Sequence, residues 1–114
     1  MSLYKFRDVR ARVYYLPTED GGRSNPIFSG YRPHLNCDGH WSAMHELIGV
    51  ESVAPGEWAD VYLTFICPSA LIGKLKVGRE YSLFEGSRVV GLALITEILE
   101  LQKHASDLPV QNTR

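Results

Sequence analysis

The chain has 114 residues, 45% hydrophobic and 22% charged, with a formal net charge of −1. That is enough for one ordinary globular core and too little for two. The near-neutral balance argues against a protein that tracks phosphates, whose affinity comes largely from a basic excess. Two cysteines, Cys37 and Cys67, cannot make a disulfide framework.

The start of the chain, MSLYKFRDVR, carries charge throughout and has no apolar signal region. No apolar run approaches the ~20 residues of a membrane helix. The expectation is a cytoplasmic protein with free thiols and no membrane contact.

From Asp8 to Leu16, Val9, Ala11, Val13 and Tyr15 alternate with Arg10, Arg12 and Tyr14. Period two predicts a half-buried strand, stopped by Pro17. The sequence TEDGGR follows as a turn in which Gly21 and Gly22 are free to take positive φ. Residues 25–36, broken by Pro26 and Pro33, predict an extended loop beside a strand. Residues 37–53 show no clear period, and MHELIGV suggests one helical turn. The clearest strand spans Trp58 to Ile66, with Ala59, Val61, Leu63 and Phe65 on one face, and Pro68 ends it. An apolar connection over residues 69–78 leads to a short strand, Tyr81 to Phe84. Glu85-Gly86-Ser87-Arg88 then predicts a hairpin turn before a long return strand, Val89 to Leu99. That strand is apolar on both faces, hence central, and Gly91 marks a bulge or a close backbone approach. Residues 1–100 are thus expected to form one β-barrel domain and residues 101–114 a polar C-terminal tail, beginning in a short helical turn. Short strands between Gly and Pro turns predict an all-β barrel or sandwich, and closure removes exposed edges.

Three ordered segments resemble the third, C-terminal domain of elongation factor Tu. The first runs from Val13-Tyr14 through Gly21-Gly22-Arg23 to Pro26-Ile27-Phe28-Ser29-Gly30-Tyr31-Arg32-Pro33. The second is Val53-Ala54-Pro55-Gly56 and the strand ending in Ile66-Cys67-Pro68. The third is the hairpin Glu85-Gly86-Ser87-Arg88-Val89-Val90-Gly91. Together they span roughly residues 8–99. The resemblance implies a small closed six-stranded antiparallel barrel. It also implies contacts of the kind that domain makes with the tRNA T-stem, its own G domain and a nucleotide-exchange factor. No G-x-x-x-x-G-K-[ST] loop occurs, so neither nucleotide binding nor GTPase activity is expected.

Fold resemblance does not carry function across by itself. At three positions the usual RNA-contact chemistry is replaced: His34 stands for a glutamine, Cys67 for a basic residue and Phe84 for an arginine. The connection from Pro68 to Gly78 is also several residues longer than in the resembling domain. Turn and core signatures persist while donors for phosphate and ribose are lost. The expectation is therefore a non-enzymatic binding module, without cofactor, presenting an elongation-factor-like surface to a protein. It would act as a decoy, competitor or adaptor; a toxin-neutralising mimic is one concrete version. Its partner-binding residues are expected to be Arg23, Tyr31, Arg32, His34, Gly86 and Arg88.

Two alternatives rank below this. An RNA-binding module linked to translation would use Arg10, Arg12 and Arg88, with Lys5, Arg7, Arg10 and Arg12 as a basic stripe. A small metal-dependent or thiol enzyme would centre on residues 34–45, where His34, Cys37, His40 and His45 are borderline-soft zinc ligands. Their spacing matches no standard zinc motif, and a polar loop with exposed imidazoles is the simpler account. Cys37 beside His40 raises a nucleophile–base pair, but no orienting third group is evident.

Overall fold

The computed structural model of the protein describes residues 5–107. Its strands are β1 (Val9–Tyr15), β2 (Ile27–Phe28), β3 (His34–Asn36), β4 (His40–Leu47), β5 (Ser52–Val53), β6 (Trp58–Phe65), β7 (Glu80–Glu85) and β8 (Arg88–Ile98), followed by one helix, α1 (Leu101–Asp107). Six of the strands close an antiparallel barrel in the order β1-β6-β4-β3-β7-β8, with β8 returning to β1. The short strands β2 and β5 pair with each other outside it.

Alternation builds the wall as the sequence predicts. Val9, Ala11, Val13 and Tyr15 of β1 point inward with at most 1% exposure, and Ala59, Val61, Leu63 and Phe65 of β6 face them. Strand β8 crosses between β7 and β1 and is bonded on both edges. Its register shifts opposite Leu83/Phe84 and opposite Arg10/Ala11, the local bends that let a long strand wrap a small barrel. A Cβ at Gly91 would lie 2.8 Å from the Tyr14 carbonyl oxygen, so the close approach expected there is present.

The segment MHELIGV is not a helical turn. Residues His40–Leu47 form strand β4, with Ala43, His45 and Leu47 buried on one face. The inward position between two aliphatic residues is a histidine, which hides the period from a hydrophobicity pattern. Gly22 also differs from expectation. Only Gly21 of the pair takes positive φ, 94°, whereas a Cβ on Gly22 would fall 1.8 Å from the Leu16 carbonyl oxygen. Gly22 is thus required for space rather than for turn geometry.

Residues 101–107, read as the start of a polar tail, form α1. Its Leu101 is 3% exposed and the helix packs on the turn Pro68–Leu71. Residues 108–114 of the expected tail lie outside the described residues. No helix among the described residues is long and apolar enough to cross a membrane.

Candidate functional site

The loop from Leu16 to Pro33 joins β1 to β3 and ends alongside β4. The Thr18 hydroxyl donates to the Arg23 carbonyl at 2.6 Å, and Gly21 closes the turn. Further on, Gly30 N–H donates to the His45 carbonyl and His45 N–H donates to the Tyr31 carbonyl, both at 2.8 Å. These bonds lay residues 30–31 alongside β4. They carry Arg23 and Tyr31 to the hairpin between β7 and β8.

Loop and hairpin meet on one carboxylate. Glu85 Oε2 accepts from the Arg23 guanidinium at 3.0 Å and from the Tyr31 hydroxyl at 2.6 Å, while Oε1 accepts from Arg88 at 3.0 Å. The Arg23 guanidinium also lies over the Tyr31 ring, 4.8 Å from its centroid. Burial alone would raise the Glu85 pKa, but the hydrogen bonds from Tyr31 and Arg23 hold it below its ordinary value. Burial and the same carboxylate push the Tyr31 phenol upward, so it remains a donor. Two cations, one anion and a phenol give a patch of net positive charge. Its side chains are partly exposed and mutually braced.

Beneath the patch, His45 is fully buried. Its Nδ1 lies 2.7 Å from the Tyr15 hydroxyl, and its ring meets Tyr31 edge-on at 5.5 Å. Nε2 has no hydrogen-bond partner among the described residues. Tyr31 therefore bridges the barrel interior and the surface cluster.

Of the residues expected to bind a partner, Arg23, Tyr31 and Arg88 come together on Glu85. Gly86 forms the hairpin with φ 61° and open space where a Cβ would stand. Arg32 is exposed, as is His34. His34 pairs in register with Phe84; its ring lies 6.3 Å from that of His40, which in turn lies 4.6 Å from Phe84. His34 and Phe84, two of the positions at which the resemblance implies a lost RNA contact, are thus neighbours, within a small group of rings one residue along β7 from Glu85. The residue that sequence reading missed is Glu85 itself, treated there only as a turn residue. Its i,i+3 relation to Arg88 was the available signal.

The expected alternatives meet a different geometry. The residues offered as metal ligands are split: His45 is inside the barrel, Cys37 is buried at the β3–β4 turn, and His34 and His40 are outside. Among the described residues no three His, Cys, Asp or Glu side chains converge as a metal would require. Burial and neighbouring Asp38 raise the Cys37 thiol, opposite to the shift a nucleophile needs. Along the basic stripe, Lys5 meets Asp107, Arg7 meets Glu46 in two hydrogen bonds, and Arg10 and Arg12 share Asp60.

The family model described as "Elongation factor Tu C-terminal domain" matches residues 2–99.

Proposed function

Because the chain belongs to the elongation factor Tu C-terminal domain family, we propose that it is a non-enzymatic, cytoplasmic binding module of the translation apparatus that presents its Glu85-centred surface to a protein partner. One observation carries this proposal: Arg23 and Tyr31, from the loop after β1, and Arg88, from the β7–β8 hairpin, are held on a single partly exposed carboxylate. Arginine and tyrosine dominate interface hot spots, and bracing lowers the entropy lost when they bind. The adjoining rings of His34, His40 and Phe84 supply apolar area beside that charge.

A protein is favoured over RNA because the stripe cations, Arg23 and Arg88 already have carboxylate partners. A phosphate backbone would have to compete with Glu85, Glu46 and Asp60 for them. Through that contact surface the chain would act as a decoy, competitor or adaptor, and neutralising a toxin by imitation is one form of this.

The test is capture of ligand from a cell lysate by immobilised protein, with and without nuclease, followed by salt titration. The expected ligand is a protein, resistant to nuclease, whose affinity changes modestly with salt. A nuclease-sensitive ligand that loses about a thousandfold in affinity between 50 and 200 mM salt would replace this proposal with RNA binding.

A further inference from the structure

A second feature lies at the opposite end of β7, about 17 Å along the strand from Glu85. There a cavity of about 450 Å³ is lined by Asn36, Cys37, Asp38, Lys74, Arg79 and Tyr81. It is formed where the β3–β4 turn meets the connection after Pro68, the segment whose length departs from the resembling domain. Both walls are fixed. Asp38 holds φ 57°, Cys37 N–H donates to the Gly39 carbonyl at 2.8 Å, and the Cys37 carbonyl accepts from the Trp41 indole at 3.0 Å. On the other side, Leu71 and Leu75 are buried anchors. The Tyr81 hydroxyl accepts from Lys76 N–H and donates to the Lys74 carbonyl, tying the loop down. Gly78 N–H donates to the Ile95 carbonyl, and the Arg79 carbonyl accepts from Ile95 N–H.

The charges in this cavity are unbalanced. Lys74 Nζ is 3.3 Å from the exposed Asp38 carboxylate. The Arg79 guanidinium has no hydrogen bond or ion pair among the described residues, unlike the paired arginines of the barrel wall. Both cations lie close enough to the Cys37 sulfur to act on it, while burial and Asp38 keep the thiol protonated. Arg79, unpaired among the described residues, Lys74 shared with Asp38, Asn36 and Cys37 thus line one open surface depression.

We propose that this cavity binds a small polyanion carrying phosphate or carboxylate groups, with Arg79 as the principal contact and Lys74 as the second. The guanidinium fork matches either group through paired N–H donors. Lys74 joins by exchanging or sharing its contact with Asp38. The site is separate from the Glu85 surface and does not depend on what that surface binds.

Inorganic pyrophosphate and tricarballylate serve as phosphate and carboxylate probes, each at constant ionic strength, with binding read by isothermal calorimetry. The expected result is saturable heat with at least one probe; which probe acts assigns the group. Arg79→Ala should weaken binding about tenfold or more, the loss of a charge-assisted contact. Lys74→Ala should weaken it less, and Arg10→Ala should leave it unchanged. No saturation with either probe up to about 10 mM, a weak-binding limit, would overturn the proposal. So would binding that Arg79→Ala leaves intact.

Discussion

The Tyr15 hydroxyl and His45 Nδ1 meet at 2.7 Å inside the closed barrel, from strands β1 and β4 that are not neighbours in the sheet. The bond spans the core, and Tyr31 packs on the same imidazole from the loop above. A buried polar pair of this kind ties the interior to the surface patch. It also leaves Nε2 without a partner among the described residues, which carries a desolvation cost.

Acid stability should report this histidine. Burial pushes its pKa down from 6.5 to about 3, so it is neutral in the folded protein. Below pH 6.5 the unfolded chain takes up a proton that the folded chain refuses. Stability contributed by neutral His45 is therefore complete above that pH and lost as pH falls toward 3. The slope from one such group is about 1.4 kcal/mol per pH unit. Urea midpoints for wild type and His45→Leu at a series of pH values from 7 to 4 should show the variant lacking about this one-proton slope. At pH 7 the cost of His45→Leu should stay within roughly 2 kcal/mol, since the lost Tyr15 bond is offset by removing the unpartnered nitrogen. Parallel acid limbs in the two proteins would contradict a buried neutral imidazole.

The docking of α1 should depend on Asp8. This carboxylate is fully buried; it accepts from Phe65 N–H at 2.8 Å and lies 2.9 Å from His104 Nδ1, while the His104 ring stacks on Phe6. Asp8→Ala strands the Phe65 N–H and should cost about 3 kcal/mol in urea unfolding. His104→Ala removes only the helix side and should cost about 1–2 kcal/mol. It should also speed amide exchange within residues 101–107 while leaving β6 protected. Equal exchange rates in α1 for wild type and His104→Ala would mean that Leu101 alone docks the helix.

Three glycine-to-alanine variants should separate by the space available. At Gly22 the new Cβ would collide with Leu16 backbone at 1.8 Å and 2.6 Å. Neither atom can yield without moving the loop that carries Arg23. At Gly91 the nearest atom is Tyr14 oxygen at 2.8 Å, whereas at Gly86 nothing stands within 4 Å and only φ 61° is unfavourable. Gly86→Ala should therefore cost about 1 kcal/mol. Gly91→Ala should cost more and Gly22→Ala the most, at about 3 kcal/mol or above. Thermal unfolding of the three variants checks the order, and a Gly22→Ala protein as stable as Gly86→Ala would refute the close approach.

Removing Glu85 should weaken the proposed protein contact without unfolding the barrel. Glu85→Ala frees Arg23, Tyr31 and Arg88 to wander, so each must be ordered again on binding. Binding of the captured protein should fall by about 2 kcal/mol, roughly thirtyfold. Phe84→Ala should weaken it through lost apolar area. Any residual affinity for tRNA should rise in Glu85→Ala, because two guanidinium groups lose their carboxylate. Unchanged protein binding in both variants, with native circular dichroism, would place the interface elsewhere on the barrel.

Period-two alternation in β1 and β6, the apolar run of β8, the prolines at 17 and 68 and the hairpin at Gly86 were legible because strand geometry and turn chemistry are local properties. Those signals left barrel and sandwich both open; it was the resemblance of the three ordered motif segments, from Val13 to Gly91, that implied the family and its closed barrel. Strand β4 was not legible, because His45 occupies an inward position that only the partner Tyr15, thirty residues away, makes tolerable. The surface charges were likewise ambiguous one by one. Arg7 finds Glu46, and Arg23 finds Glu85 sixty-two positions on, through strand register and loop packing rather than sequence spacing. The same holds for Gly22, whose need for space comes from the fold of its own loop, and for Cys37 and Arg79, which face one cavity only because β3 runs beside β7. Sequence by itself determined which residues alternate, turn and stop. Closure of the barrel decided which charges find partners and which carboxylate gathers Arg23, Tyr31 and Arg88, because those outcomes depend on distances between segments that only the closed sheet brings together.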